Sequence, residues 1–218
     1  MIQKTMKSIA AEKVIVIIRG VYGQDLIKLA GAMCDVGLHL MEVTFDQNDP
    51  DHLAKTTASI AQLCDKFGDQ MACGAGTVLT TQQAQEACKA GASYIISPNV
   101  NQAVIEKTKE LGLISIPGAM TPSEILSAHD LGADFVKVFP AKQLGLDYFK
   151  DIRGPINHVN MIATAGINEE NFADFLKAGY VAAGISGRLT DKALIQSQQW
   201  EELANRGRAF RNIAQTSV

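Results

Sequence analysis

Two ionisable side chains stand where an ionisable group is costly. Lys137 lies in Asp134-Phe135-Val136-Lys137-Val138-Phe139-Pro140, and Glu42 in Leu40-Met41-Glu42-Val43-Thr44, each inside a short apolar, β-branched run. Such a run reads as a buried strand of an α/β protein, so both side chains point toward an interior. Burial disfavours the charged form of an amine, and a deprotonated amine is what a Schiff-base-forming lysine needs. In that chemistry Lys137 attacks a substrate carbonyl. Glu42 moves protons, directly or through water, during carbinolamine formation, dehydration and C–C cleavage. Two plainer readings stand beside it: the lysine snorkels to water, or Lys137 and Glu42 form a buried ion pair that holds the core.

The elements that must position these groups alternate along the chain. Apolar runs predict strands at Val14–Arg19, Leu40–Thr44, Ala72–Gly76, Tyr94–Ser97, Ile114–Pro117, Phe135–Phe139, Met161–Thr164 and Val181–Ile185. Between them amphipathic patterns predict helices at Asp25–Val36, Pro50–Phe67, Thr81–Ala90, Gln102–Leu111, Pro122–Leu131, Asp147–Ile152 and Asn168–Ala178, with Gln199–Ile213 closing the chain. Thr81, Thr121 before Pro122 and Glu124, and Asn168 before Glu169 and Glu170 read as helix caps. Glycines at 37, 91, 112, 132 and 179 end successive helices and mark repeated α-to-β turns. Alternation of this kind specifies a parallel sheet. Its count fits an α/β fold of the eight-stranded (β/α)8 TIM-barrel type, with an extra N-terminal helix, Ile2–Ala11, as a plug at the bottom. Residues 1–218 read as one barrel domain, and 189–198 is the least readable stretch.

Composition narrows the function classes. The chain has 218 residues, 47% of them hydrophobic, and a formal net charge of -3. It can bury a full core and carries no basic run, so nucleic acid is not an expected partner. Cys34, Cys64, Cys73 and Cys88 are widely spaced and read as reduced, mostly buried thiols, while the four histidines lack metal-ligand spacing. No stretch approaches the roughly 18 apolar residues of a membrane span, nor a signal core. The expectation is a soluble cytoplasmic protein without a membrane partner and without a metal.

A barrel puts its chemistry at the C-terminal ends of the strands. Those ends deliver Arg19, Glu42, Thr44, Thr77, Ser97-Pro98, Pro117-Gly118, Lys137, Phe139, Thr164, Gly166, Gly184 and Ser186. One acid, one amine and one guanidinium in an otherwise neutral cavity make an economical catalytic set. Gly74-Ala75-Gly76-Thr77 is a weak dinucleotide signature, having no third glycine in register. It reads better as a place where substrate approaches the backbone. Ala163-Thr164-Ala165-Gly166 and Ala183-Gly184-Ile185-Ser186-Gly187 follow the seventh and eighth predicted strands, where loops often hold phosphate through backbone N–H groups.

Taken together these motifs resemble the 2-keto-3-deoxy-6-phosphogluconate aldolase / 4-hydroxy-2-oxoglutarate aldolase family of class I pyruvate aldolases. The matching pieces run from Val16-Ile17-Ile18-Arg19 through Glu42-Val43-Thr44, Gly74-Ala75-Gly76-Thr77-Val78-Leu79, Ile96-Ser97-Pro98, Ile116-Pro117-Gly118 and Lys137-Val138-Phe139-Pro140-Ala141 to Gly184 and Ser186. The resemblance implies that Lys137 forms the Schiff base with the 2-keto end of the substrate and that Glu42 is the general acid/base. It implies that Thr77 binds the pyruvyl carboxylate, that Pro98 and Phe139 shape the pocket over the imine, and that Arg19 meets the substrate's polar end. Thr164, Gly166, Gly184 and Ser186 fall to the phosphate end. The implied partner is a small 2-keto acid, the implied cofactor none, and the implied assembly a homotrimer.

Three positions depart from the family pattern. Where the family's glutamate strand usually continues E-V-T-L-R, with the arginine on the substrate carboxylate, this chain has Phe45-Asp46. An acid there is expected to repel a carboxylate. In the phosphate loops, T-G-G becomes Thr164-Ala165-Gly166 and G-G-S becomes Gly184-Ile185-Ser186, and each Cβ is expected to hinder close backbone approach. Arg188 is a candidate replacement cation. Two other classes compete: a phosphate-binding barrel isomerase or epimerase, and a non-enzymatic trimeric barrel that has lost productive binding.

Overall fold

In the computed structural model, which describes residues 2–217, every predicted strand is present and the sheet is wholly parallel. Met1 and Val218, the ends of the span read as one domain, lie outside the described residues. The order runs α1 (Ile2–Glu12), β1 (Val14–Ile18), α2 (Gly23–Asp35), β2 (Leu40–Thr44), α3 (His52–Phe67), β3 (Ala72–Gly76), α4 (Thr81–Lys89), β4 (Tyr94–Ile96) and α5 (Gln102–Glu110). It continues with β5 (Ile114–Ile116), β6 (Gly118–Ala119), α6 (Pro122–Asp130), β7 (Val136–Val138), α7 (Ala141–Arg153), β8 (Met161–Thr164), α8 (Phe172–Ala178), β9 (Ala182–Ile185), α9 (Lys192–Gln196) and α10 (Trp200–Thr216).

The fifth predicted strand is two short ones, because Pro117 has no N–H to donate to a ladder. β5 pairs with β4 and β6 with β7, so one stretch of chain serves both neighbours and brings the two edges of the sheet together. Across that seam Phe135 N donates to Ser115 O at 3.3 Å and Lys137 N to Pro117 O at 2.9 Å. The Asp134 carboxylate reinforces it, accepting from Ser115 N at 2.8 Å and pairing with Lys109 at 2.6 Å. The result is the expected eight-position barrel, with Lys137 anchored on its seam.

Strand alternation separates two cores. Val14, Val16, Met41, Val43, Cys73, Val136, Val138, Met161 and Ile185 face outward into the layer under the helices. Ile15, Leu40, Tyr94, Ile96, Ile114, Ile116, Phe135, Ile162 and Ala182 face inward, and Ile9 of α1 packs onto them. This inner cluster fills the barrel, and α1 covers it as the sequence suggests. The Tyr94 ring is fully buried and its hydroxyl donates to Met41 O at 2.7 Å.

Some boundaries shift for local reasons. α4 is capped by Thr80 rather than Thr81, in a capping box with Gln83. α8 begins at Phe172, because Asn168 closes a turn instead of opening the helix: its Oδ1 accepts from Glu170 N and Asn171 N. α7 starts six residues before the predicted Asp147 and crosses a non-helical Gly145. The stretch 189–198 holds the short α9, capped by Asp191, and Thr190 donates to Ile17 O at 3.2 Å. Only Cys73 of the four free cysteines is fully buried; the others are half-buried. Among the described residues no helix is long and apolar enough to cross a membrane, and no group of three or more His, Cys, Asp or Glu could hold a metal ion.

The inner core leaves no space at Gly74, where an added Cβ would overlap the Tyr94 ring. Gly74→Ala should therefore lower unfolding free energy by about 3 kcal/mol. Gly31, on α2 with only the Phe67 ring tip at 4.0 Å, should gain on replacement by alanine, by roughly 0.5–1 kcal/mol. Urea unfolding of the two variants gives opposite signs if the inner core is as tight as described.

Candidate active site

A cavity of about 490 Å³ opens at the C-terminal ends of the strands, and all ten residues singled out for the site line it: Arg19, Glu42, Thr77, Pro98, Lys137, Phe139, Thr164, Gly166, Gly184 and Ser186. Glu42 on β2 and Lys137 on β7 face each other across the lumen, with β1, β9 and β8 between them on one arc and β3, β4 and the β5–β6 position on the other. The inward residues on the first arc include Ile17, Gly184 and Thr164. They leave the acid and the amine with few polar neighbours. Thr44 and Ser97, also at strand ends, are buried and do not reach the cavity; the Thr44 hydroxyl donates to Ile18 O at 3.3 Å.

Glu42 is 2% exposed and Lys137 8%. No ion pair within 4.0 Å joins them, nor does either side chain have another salt-bridge partner among the described residues. The structural ion pair is therefore absent. So is snorkelling, since the ammonium lies 5.0 Å from the Phe139 ring centroid within the cavity. Burial raises the Glu42 carboxyl above the usual carboxylate range, with the Lys137 and Arg19 charges pulling it back. Burial lowers Lys137 below the usual lysine value; Glu42 opposes the shift and Arg19 adds to it. Both groups are pushed toward their neutral forms.

The glycines of β3 serve this arrangement. Gly74 pairs with Glu42 across the sheet and makes room for the Tyr94 ring, while a Cβ at Gly76 would overlap the Glu42 carboxyl. The space read from sequence as an approach for substrate is filled by the protein's own acid and by the aromatic floor. Directly after Gly76, Thr77 sits at φ 56, a left-handed conformation that costs a β-branched residue energy. It is held there by Gln47 Nε2 on its carbonyl at 2.9 Å, and its hydroxyl accepts from Arg19 Nη2 at 3.4 Å. Arg19 and Thr77 thus form one cationic, hydrogen-bonding corner of the cavity.

Two of the three expected obstacles move away from the cavity. Asp46 does not line it: the exposed carboxylate accepts from Asn48 N at 3.1 Å and shapes the loop after β2. Phe45 beside it is fully buried and meets His52 edge-on. The Ile185 side chain is buried in the outer layer under the helices. Ala165 does line the cavity and occupies φ 80, where glycine would be unstrained. Arg188 also lines it, but its guanidinium is held by Glu169, with Nε–Oε2 and Nη2–Oε1 both at 2.9 Å. Lys142, Asn168 and Gly187 are wall residues that the sequence reading does not pick out. Lys142 sits five residues after Lys137, in the first turn of α7, and that position was its one available signal.

A family model described as KDPG and KHG aldolase matches residues 2–205. A 2-dehydro-3-deoxy-6-phosphogalactonate aldolase of Escherichia coli is 28% identical over 202 residues, 92% of this chain and 96% of that one. A 2-dehydro-3-deoxy-phosphogluconate aldolase of Treponema pallidum is 36% identical over 154 residues, 70% of each chain. Among solved structures, a KDPG aldolase from Legionella pneumophila with pyruvate captured as a covalent carbinolamine intermediate superposes with TM-score 0.83, at 27% identity, covering 93% of this chain and 96% of that one.

An amine kept out of water and without a counter-ion works against folding. Because its folded pKa is lowered, the penalty is full at pH below that value and fades as pH rises toward the ordinary lysine value of 10.5. Lys137→Met should therefore unfold at a higher temperature than the parent near neutral pH, with the gap closing toward about pH 10. A lower midpoint for the variant at every pH would mean that Lys137 is a stabilising element.

Proposed function

The chain belongs to the KDPG and KHG aldolase family, and from that premise we propose that it is a class I aldolase splitting a 2-keto-3-deoxy acid into pyruvate and an aldehyde. The substrates are drawn from the class that its relatives' names describe, phosphorylated 2-dehydro-3-deoxy sugar acids, or 4-hydroxy-2-oxoglutarate. The observation that carries the reading is the opposed, desolvated and unpaired Lys137 and Glu42 across one cavity.

Neutral Lys137 adds to the C2 carbonyl of the substrate, and the resulting carbinolamine loses water as the Glu42 carboxyl protonates the departing hydroxyl. The cationic imine then draws electrons as the C3–C4 bond breaks, and Glu42, now a carboxylate, takes the proton of the C4 hydroxyl. An aldehyde leaves. Glu42 returns that proton to C3 of the enamine, and water hydrolyses the imine to pyruvate, restoring the neutral amine and the carboxylic acid. No metal or organic cofactor enters these steps. Thr77 and Arg19 are assigned to the keto-acid carboxylate, and Pro98 and Phe139 to the walls beside the imine. Thr164, Gly166, Gly184 and Ser186 are assigned to the distal end. We place the protein in the cytoplasm as a homotrimer acting in carbohydrate metabolism.

Borohydride added with pyruvate should fix a covalent adduct on Lys137, and Lys137→Met should abolish it. The trapping rate needs a neutral amine and a protonated acid, so it should follow a bell in pH. Its rising limb lies below the ordinary lysine value of 10.5, and its falling limb above the ordinary glutamate value of 4.5. Glu42→Gln should lower retro-aldol turnover by about 10²–10⁴-fold. Absence of any adduct on the intact protein would remove the reading.

Met120 and Leu126 are large apolar side chains left 44% and 36% exposed beside and on α6, which supports association through that face. Sedimentation equilibrium should give three times the 23.4 kDa of one chain. A monomeric mass would overturn the trimer.

A further inference from the structure

We propose that Lys142 is the specificity-determining contact for the distal end of the substrate, its ammonium binding the phosphate monoester of a phosphorylated 2-keto-3-deoxy acid. This rests on the aldolase reading and adds to it which substrate class is preferred and which residue sets the preference.

The cavity wall carries four cations, Arg19, Lys137, Lys142 and Arg188, and they are not equivalent. Arg19 is drawn toward Thr77 at the keto-acid corner. Lys137 is buried at the reacting centre. Arg188 is matched by Glu169, so its charge is largely cancelled before any ligand arrives. Lys142 has no carboxylate within 4.0 Å of its ammonium among the described residues and no hydrogen-bond acceptor either. It is the uncompensated positive charge on the loop side of the cavity.

Its position is built. Lys142 N donates to Ala165 O at 3.2 Å, fixing the start of α7 against the loop after β8. The aliphatic stem then lies over Gly166: a Cβ there would come within 2.5 Å of Lys142 Cβ and 2.6 Å of Cδ. Gly166, at φ 77 and at a position that the family resemblance assigns to the phosphate end, thus accommodates the lysine stem. Ala165 beside it also lines the cavity, where a glycine would leave the backbone barer to a phosphate. A long cationic side chain reaches a dianion without close approach to the backbone. Lysine supplies a compact charge with three donors, the kind of group that binds phosphate as a point charge.

The test compares retro-aldol turnover of 2-keto-3-deoxy-6-phosphogluconate with that of its unphosphorylated counterpart. Measurements are made in the unaltered protein, Lys142→Met and Lys142→Arg, alongside inorganic phosphate binding followed by phosphorus NMR. The expected result is a fall of at least about tenfold in the ratio of kcat/KM for the phosphorylated over the unphosphorylated substrate in Lys142→Met, carried mostly by KM. The phosphate dissociation constant should weaken in parallel, and Lys142→Arg should recover most of both. An unaltered protein that prefers the unphosphorylated acid, a ratio moved by less than about twofold, or an equal loss on both substrates would overturn the assignment. Failure of pyruvate trapping on Lys137 in the unaltered protein would instead sink the aldolase reading, and the phosphate-binding arm would still decide on Lys142.

Discussion

Desolvation of two opposite ionisable groups that do not touch is the constraint on which the rest of this barrel's mouth depends. Taking a carboxylate and an ammonium out of water costs several kcal/mol each, and a direct ion pair would return part of it. Here the strands hold Glu42 and Lys137 on opposite walls, so that return is withheld. Burial therefore pushes the acid's pKa up and the amine's down, each toward its neutral form. A shift in that direction, in two groups lining one cavity, favours the neutral amine and protonated acid from which carbinolamine chemistry starts. The same withheld contact leaves room for a ligand.

Keeping that state requires a rigid support, and the sequence supplies it through small residues rather than through polar partners. Gly74 admits the Tyr94 ring, Gly76 admits the Glu42 carboxyl, and Gly184 lies against Ile17 and Thr164. Each glycine faces inward on a strand neighbouring a larger inward side chain. The lumen is therefore packed by alternating large and absent side chains, as barrel layers are. Below them the apolar cluster sealed by α1 excludes water from beneath the site. Lys137 is additionally tied to the seam, where its own N–H closes the barrel onto Pro117 O. The candidate nucleophile, on the closing strand, is positioned by closure itself.

How much of this was legible in the sequence follows from which physics acts locally. Apolar runs and helix-ending glycines fix strand and helix existence, and the strands emerged where the runs are. The exceptions are places where a neighbour in space decides: Pro117 splitting a strand, or Asn168 spending its side chain on a turn. The ten wall residues were legible because barrel geometry maps strand ends onto one cavity. The direction of a side chain in a loop was not. Asp46 and Ile185 read as obstacles by alignment of types, yet one turns into its own loop and the other into the outer core. At Gly76 the sequence indicates the space but not its occupant, the Glu42 carboxyl.

Family membership leaves the isomerase and non-enzymatic readings without support, and it shifts the question from reaction to substrate. No arginine follows Glu42-Val43-Thr44, and the cavity wall beside Glu42 carries Arg19, whose guanidinium is oriented on Thr77. At the distal end, the lost glycine at 165 leaves a strained alanine at φ 80, and the nearest uncompensated charge is Lys142. On the proposed function, anion recognition falls to Arg19 at one end and Lys142 at the other, while Lys137 and Glu42 hold the centre. Variation is tolerable at the ends because a carboxylate or phosphate can be held by a charge from several directions. The imine carbon must meet Lys137 and Glu42 from one direction only. Tolerance of that kind belongs to loops built on a fixed scaffold, and the strands carrying Glu42 and Lys137 are the part of this molecule with no such latitude.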